Sequence, residues 1–252
     1  GGQEEFNLGI EYARSCDPLD RKTGADILAQ LGWSDRTFAD ESLTALLLML
    51  EDPVDVVVSA AAVALGHRED PRAIPALLRF AGHPNAEVRL GVVCGLMRHS
   101  HPDAIRALIQ LSRDSDRDVR NWATFGLGSQ IEDDTFEIRD ALRANLTDPD
   151  QEIRGEAIVG LAEREDQYIA DILIREWQSS DTVSVLSIDA AAIAADSRLL
   201  EHLERLSTQL PLDDDLSFKS ALERAIKACR GEAEPSAADF SPPAEGRLKP
   251  ER

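Results

Sequence analysis

One unit of about thirty residues is written four times between Asp52 and Trp177, and nothing else in the chain constrains its fold so tightly. The copies begin at Asp52, His83, Asp114 and Asp148, giving spacings of 31, 31 and 34 residues. Five residues into each copy stands a β-branched residue: Val57, Val88, Val119 and Ile153. Arginine follows directly in three of them, as Arg89, Arg120 and Arg154. Self-similarity at such a period implies a stack of supersecondary units, each sharing its core with its neighbours, rather than one globular core.

Each unit reads as two helices. The first opens at a Pro or an acidic turn, carries small apolar residues at helical spacing, and is expected to stop near a glycine such as Gly66 or Gly128. A turn with Asp70-Pro71 or His101-Pro102 follows, where proline suits the first turn of the next helix. The second helix places Ile74, Leu77 and Leu78, or Ile105, Leu108 and Ile109, on one face. Ala60 to Ala62, Ala64, Gly91 and Gly95 leave little side chain between helices, so backbones can approach closely.

The pattern D-P-x-x-x-V-R-x-x-A-x-x-x-L-G followed by D-P-x-A-I-x-A-L-I resembles a HEAT repeat of the short, phycobilisome-lyase-like kind. The resemblance implies an all-α fold: an α-solenoid of about six HEAT-type helical hairpins forming a curved right-handed superhelix. It also implies that the Val-Arg helices line the concave side and that the arginines pair with acids near the repeat junctions. Val58 stands at the Arg position of the first clear unit and His83 at the Asp position of the second, so this ladder is expected to break there.

Two degraded units flank the clear ones. Asp17-Pro18 opens the first, with Arg21, Ala25, Ile27 and Leu28, an insertion carrying Trp33 and Phe38, and a second helix from Ser42 to Leu50. Ser180-Asp181 opens the last, with Val185, Ile188 and Ala190 to Ala192, then a second helix over 199–206. Gln3 to Arg14 reads as an N-terminal capping segment. Leu216 to Cys229, after Pro211 and the acidic turn Asp213 to Asp215, reads as a C-terminal cap whose polar outer face is Lys219, Glu223, Arg224 and Lys227. The expected division is therefore a solenoid over 3–230 and a disordered tail over 231–252, rich in proline and small residues.

Charge narrows the partners. With 27 Lys+Arg against 47 Asp+Glu the net charge is −20, so nucleic acid and anionic membrane are disfavoured by long-range repulsion. No run approaches the roughly 20 apolar residues of a membrane helix. Cys16, Cys94 and Cys229 are far apart and odd in number, which points to a reducing compartment and a cytoplasmic location.

The search for chemistry returns little. The five histidines include His67, His99 and His101 at equivalent turns, but metal-bearing members of the resembling family repeat a His-Glu pair that is absent from this chain. His83 and His101 precede prolines and read as turn residues, and Asp114, Asp116 and Asp118 at a repeat junction read as caps. Gly126-Leu127-Gly128 reads as the helix-ending glycine of its repeat, not a nucleotide fingerprint. No phosphate loop, nucleophile elbow or Cys/His dyad stands out. An enzyme and a cofactor are therefore not expected.

Binding has sharper support. Carried over from the resemblance, the groove-facing sites are the two residues after Val-Arg and the one three further on. They are Ser59, Ala60 and Val63; Leu90, Gly91 and Cys94; Asn121, Trp122 and Phe125; and Gly155, Glu156 and Val159. Only the third set carries two large aromatics. Trp122 and Phe125 share a helix face. The competing reading turns one or both inward as core. Exposed, Trp122 is an interface anchor ringed by Arg117, Asp118, Asn121 and Glu156. The expected function is a protein-binding scaffold or adaptor with an acidic concave surface. An inhibitor or immunity-type protein occluding a basic partner, such as a toxin domain, fits best. The alternative is a lyase-like or chaperone-like subunit handling a chromophore or modified protein. A DNA-repair glycosylase of similar architecture ranks third, for want of a basic groove.

Overall fold

The computed structural model describes residues 2–31, 37–179, 182–209 and 216–232. Trp33, Ser180-Asp181, Pro211, the Asp213 to Asp215 turn and the tail from 233 onward lie outside the described residues. The helices in order are α1 (Gln3–Ala13), α2 (Pro18–Gln30), α3 (Ala39–Met49), α4 (Asp55–Arg68), α5 (Ile74–Leu78), α6 (Ala86–Leu96) and α7 (Pro102–Leu111). Then come α8 (Arg117–Phe125), α9 (Phe136–Asn145), α10 (Gln151–Glu163), α11 (Ile169–Ser179), α12 (Val185–Ala194), α13 (Leu200–Gln209) and α14 (Leu216–Cys229). Short 3₁₀ turns at Pro71–Ala73 and Ser197–Leu199 lead into α5 and α13, and a π turn at Gly126–Gln130 extends α8.

Paired, these helices make six hairpins, from α2–α3 to α12–α13, bracketed by α1 and α14. In a first layer α2, α4, α6, α8, α10, α12 and α14 touch in that order, and the second helix of each hairpin forms the other layer. The chain is an all-α solenoid. Its core runs between the layers: Val57, Val88, Val119 and Ile153, the β-branched residues of the four clear units, are all fully buried. Each contributes on the order of 1.5–3 kcal/mol by leaving water. Lys219, Glu223, Arg224 and Lys227 are exposed on the outer face of α14, as a terminal cap requires.

Local chemistry sets the helix starts. Side chains of Asp17, Asn85, His101, Asp116, Thr135, Asp150 and Ser184 each accept a backbone N–H in the first turn of the helix they precede. Pro18 and Pro102 occupy first-turn positions where no N–H is needed.

Helix ends differ from the sequence expectation. Gly66 does not stop its helix: α4 runs on to Arg68 and ends at Glu69 in the left-handed conformation, φ 51°. Gly66 is there for approach instead, because a Cβ at that position would lie 2.3 Å from the Cys94 carbonyl oxygen. Gly128 likewise sits inside the π turn, where a Cβ would meet the Glu156 carbonyl oxygen at 3.2 Å.

The arginine ladder is present, with the expected gap. Arg21 pairs with Asp52 at 2.6 Å, Arg89 with Asp114 at 2.7 Å, Arg120 with Asp148 at 2.9 Å and Arg154 with Glu176 at 3.0 Å. Each guanidinium also donates to two carbonyls at the start of its own unit, as Arg89 does to His83 and Pro84. The neighbouring guanidinium is the largest effect holding the Asp52 carboxyl below its ordinary range. At the missing rung Val58 is buried, and Asp55 is held instead by Asn85 Nδ2 at 2.8 Å. Arg21 supplies a rung that the degraded first unit did not advertise.

Candidate functional site: the α8–α10 face

Asp116 starts α8 by accepting from the backbone N–H groups of Asp118 and Val119 at 3.0 and 3.1 Å. From that start Val119 and Ala123 face the core, both fully buried. Trp122 and Phe125 lie on another face and are half-buried. Their rings meet edge to face, with centroids 5.7 Å apart and planes at 90°, a geometry favoured by the aromatic quadrupole. One edge of Trp122 packs on the core cluster.

Trp122 occupies the position that Gly91 holds on α6. There a Cβ would lie 2.7 Å from the Ser59 carbonyl oxygen, so α4 and α6 meet nearly backbone to backbone. An indole admits no such approach, and α6 and α8 touch along less of their length than α4 and α6.

The four polar residues expected to ring Trp122 divide into two sets. Arg117 and Asp118 are exposed but not free. Arg117 Nη1 donates to Asp118 at 2.8 Å, its Nε donates to Asp150 at 2.8 Å, and Nη2 donates to Glu152. This clamp ties the first turn of α8 to that of α10. Asn121 and Glu156 are each only 8% exposed, inside the layer rather than around its rim. Asn121 Oδ1 is buried without a hydrogen-bond partner. Glu156 makes no ion pair or side-chain hydrogen bond among the described residues, and burial, reinforced by Glu152 and Glu163, pushes its carboxyl up to about 7.

Repeat geometry places these two groups together. Gly91 stands six residues after its helix cap and meets Ser59, five after the cap of the preceding first-layer helix. In the α8–α10 pair the same positions are Glu156, six after Asp150, and Asn121, five after Asp116. Beyond Phe125 the backbones close again, since a Cβ at Gly160 would lie 2.5 Å from Gly128 Cα.

Arg164 escaped the sequence reading and is the strongest polar device near this face. Its guanidinium is buried, 8% exposed. Nη1 donates to the Gly128 and Gly160 carbonyls at 2.7 and 2.9 Å, and Nη2 to Leu127 and Ile131 at 2.8 and 2.6 Å. The carbonyls that the π turn leaves without helical partners are thereby satisfied. Arg68 does the same for the end of α2, donating to Leu31 and Thr37. Both arginines stand eleven residues after the buried β-branched position, a spacing visible in the sequence. His99 stands there in the α6 unit, buried, with Nε2 unpaired and its pKa lowered by burial. His83 and His101 accept backbone N–H groups in turns, each at 3.2 Å.

These features define a repeat-built solenoid with buried polar groups along α8 and α10. Residues 41–128 match the family model for HEAT repeats, and the stacked hairpins carry that architecture from α2 to α13. The chain is a HEAT-type repeat solenoid. Protein YibA of Escherichia coli (strain K12) is 29% identical over 231 residues, covering 89% of this chain and 81% of YibA. The X-ray structure of Escherichia coli YibA superposes with a TM-score of 0.64 at 28% identity, over 89% of this chain and 82% of that one. The archaeal HEAT-like repeats protein from Thermococcus onnurineus NA1 shares the fold, with a TM-score of 0.56 at 14% identity over 91% and 97% of the two chains.

Proposed function

We propose that this solenoid is a protein-binding scaffold that covers a basic surface of another protein, in the manner of an inhibitor or immunity-type protein, and performs no chemistry itself. The observation that carries the reading is the Trp122–Phe125 pair, half-exposed at a position where sister repeats hold Gly91 and Cys94 or Glu156 and Val159. A packing role would recur at every junction, whereas a binding role need occur once. Charge supports a cationic partner. Many of the arginines are engaged in intramolecular pairs, such as Arg21, Arg89, Arg120, Arg139 and Arg154, so the surplus left on the surface is acidic.

The test begins with affinity capture and mass spectrometry to obtain the partner, followed by measured binding of the wild type and Trp122→Ala. The expected loss is about 2 kcal/mol or more in affinity, the range of a central aromatic hot spot. Thermal unfolding should fall by only about 1 kcal/mol, because the ring is half-buried. Association should slow as salt rises, since steering is screened over about 10 Å at 0.1 M. Unchanged affinity for Trp122→Ala sinks the reading.

A further inference from the structure

At the junction of α8 and α10, Asn121 Oδ1 is buried without a donor, and Glu156 makes no ion pair or side-chain hydrogen bond among the described residues. The α4–α6 pair solves the equivalent problem with Ser59, whose hydroxyl donates to the Glu87 carbonyl at 2.8 Å, and with Gly91, which brings no polar group at all. A buried acceptor left unmade costs about 1–3 kcal/mol, and folding gains nothing visible from either one here. Small residues would have served the packing, as they do one junction earlier. What the pair lacks is a donor bearing positive charge.

We propose that Asn121 and Glu156 form a socket between α8 and α10 that takes the cationic head group of one arginine or lysine side chain from the bound protein. The inference rests on the binding role of this face and names what the face selects. Three observations converge on it. Asn121 is more than nine-tenths buried with Oδ1 unpaired. Glu156 is equally buried and has no cation of its own among the described residues. Trp122 follows Asn121 on α8 and carries a half-buried indole. An indole face is a favourable neighbour for a guanidinium or ammonium group.

The cations nearby are engaged elsewhere. Arg117 is held by Asp118, Asp150 and Glu152. On α9, Arg139 pairs with Asp134 and Arg143 with Asp166. On α12, Asp189 turns to Arg224 of α14. The charges that bear on Glu156 are Glu152 and Glu163 of its own helix, both of the sign that attracts a cation. With its carboxyl poised near 7, Glu156 is mostly neutral at pH 6 and mostly ionised at pH 8. Seating a cation at pH 6 therefore requires a proton to leave first. Affinity should drop about tenfold between pH 8 and pH 6, the ratio of ionised fractions about a midpoint near 7.

The experiment uses the full chain, labelled with ¹⁵N, and two short probes: acetyl-Gly-Arg-Gly-amide and its neutral citrulline counterpart. The Asn121 side-chain amide and the Trp122 indole N–H are followed by NMR. The arginine peptide should shift the Asn121 amide at pH 8, bind about tenfold more weakly at pH 6, and outcompete the citrulline peptide. Glu156→Gln, nearly isosteric and checked for folding by its unchanged spectrum elsewhere, should abolish that pH dependence. A silent Asn121 amide at pH 8, or equal binding of the two peptides, overturns the socket. If only the Trp122 indole responds, and to both peptides alike, the aromatic face binds chain without reading charge. That outcome overturns the socket and leaves the groove standing.

Discussion

The α4–α6 junction and the α8–α10 junction are written in the same repeat and solved in opposite ways. Between α4 and α6, Gly66, Gly91 and Gly95 let backbones approach until an added Cβ would lie 2.3 to 2.9 Å from a carbonyl oxygen. Between α8 and α10, the corresponding stretch carries the buried Asn121, with Oδ1 unpaired, and the buried Glu156, with no ion pair among the described residues, and backbones approach closely further along, at Gly128 and Gly160. The α4–α6 junction has also lost its arginine rung, with Val58 in place of the guanidinium, while Arg120 and Arg154 keep theirs. The first junction is held by backbone contact, and the second is spanned by charged clamps beside two buried polar side chains. The proposed binding role assigns recognition to the second kind of junction.

The largest effect that would break this comparison lies at Glu156. Its folded-state pKa is raised, so the folded protein holds the proton more tightly than the unfolded chain. Stability is therefore fully present below the ordinary carboxylate range and is lost as pH rises toward 7. The full shift, from 4.5 to about 7, corresponds to a loss on the order of 3 kcal/mol. Glu156→Gln should raise the unfolding temperature at pH 8 and change it little at pH 4. Equal effects at both pH values would mean that the carboxyl is not buried as described.

The next effect tests the other junction. Gly66→Ala places a methyl 2.3 Å from the Cys94 carbonyl oxygen, against backbone that cannot rotate away. Overpacking of this kind costs about 1–3 kcal/mol, to be read by denaturant unfolding. A neutral result would show that α4 and α6 part easily, and the contrast with α8–α10 would disappear.

The smallest sharpens the account of helix ends. Ala195 closes α12 with φ 48°, a left-handed conformation that alanine adopts at a cost. Ala195→Gly should stabilise by about 0.5–1 kcal/mol, and the same change at an ordinary helical alanine should destabilise by a similar amount. Thermal unfolding of both variants separates the two.

Much of the fold was legible because repetition is redundant. Val57, Val88, Val119 and Ile153 announce one buried position four times, and Asp-Pro turns mark where each hairpin folds back. Glycines misled because a helix stop and a close approach are written with the same letter; only the partner backbone at Cys94 distinguishes them. The aromatic pair was legible as a departure from the repeat. Burial of Asn121 and Glu156 was not, since polar residues beside an exposed tryptophan look like a rim until neighbouring helices close over them. Arg164 was hidden for a related reason: its ligands are carbonyls, which every residue has and no sequence displays.

Arg164 also bears on how the array comes apart. In a stack of repeats, each unit is coupled to its neighbours, and the weakest coupling decides where partial unfolding begins. Here one buried guanidinium holds carbonyls of the α8 and α10 helices at once. Separating the two repeats breaks the hydrogen bonds from Arg164 to the Leu127, Gly128 and Ile131 carbonyls, each worth about 1.5–3 kcal/mol for a charged donor. The two repeats are therefore coupled through Arg164 as well as through apolar contact, and opening one weakens the other.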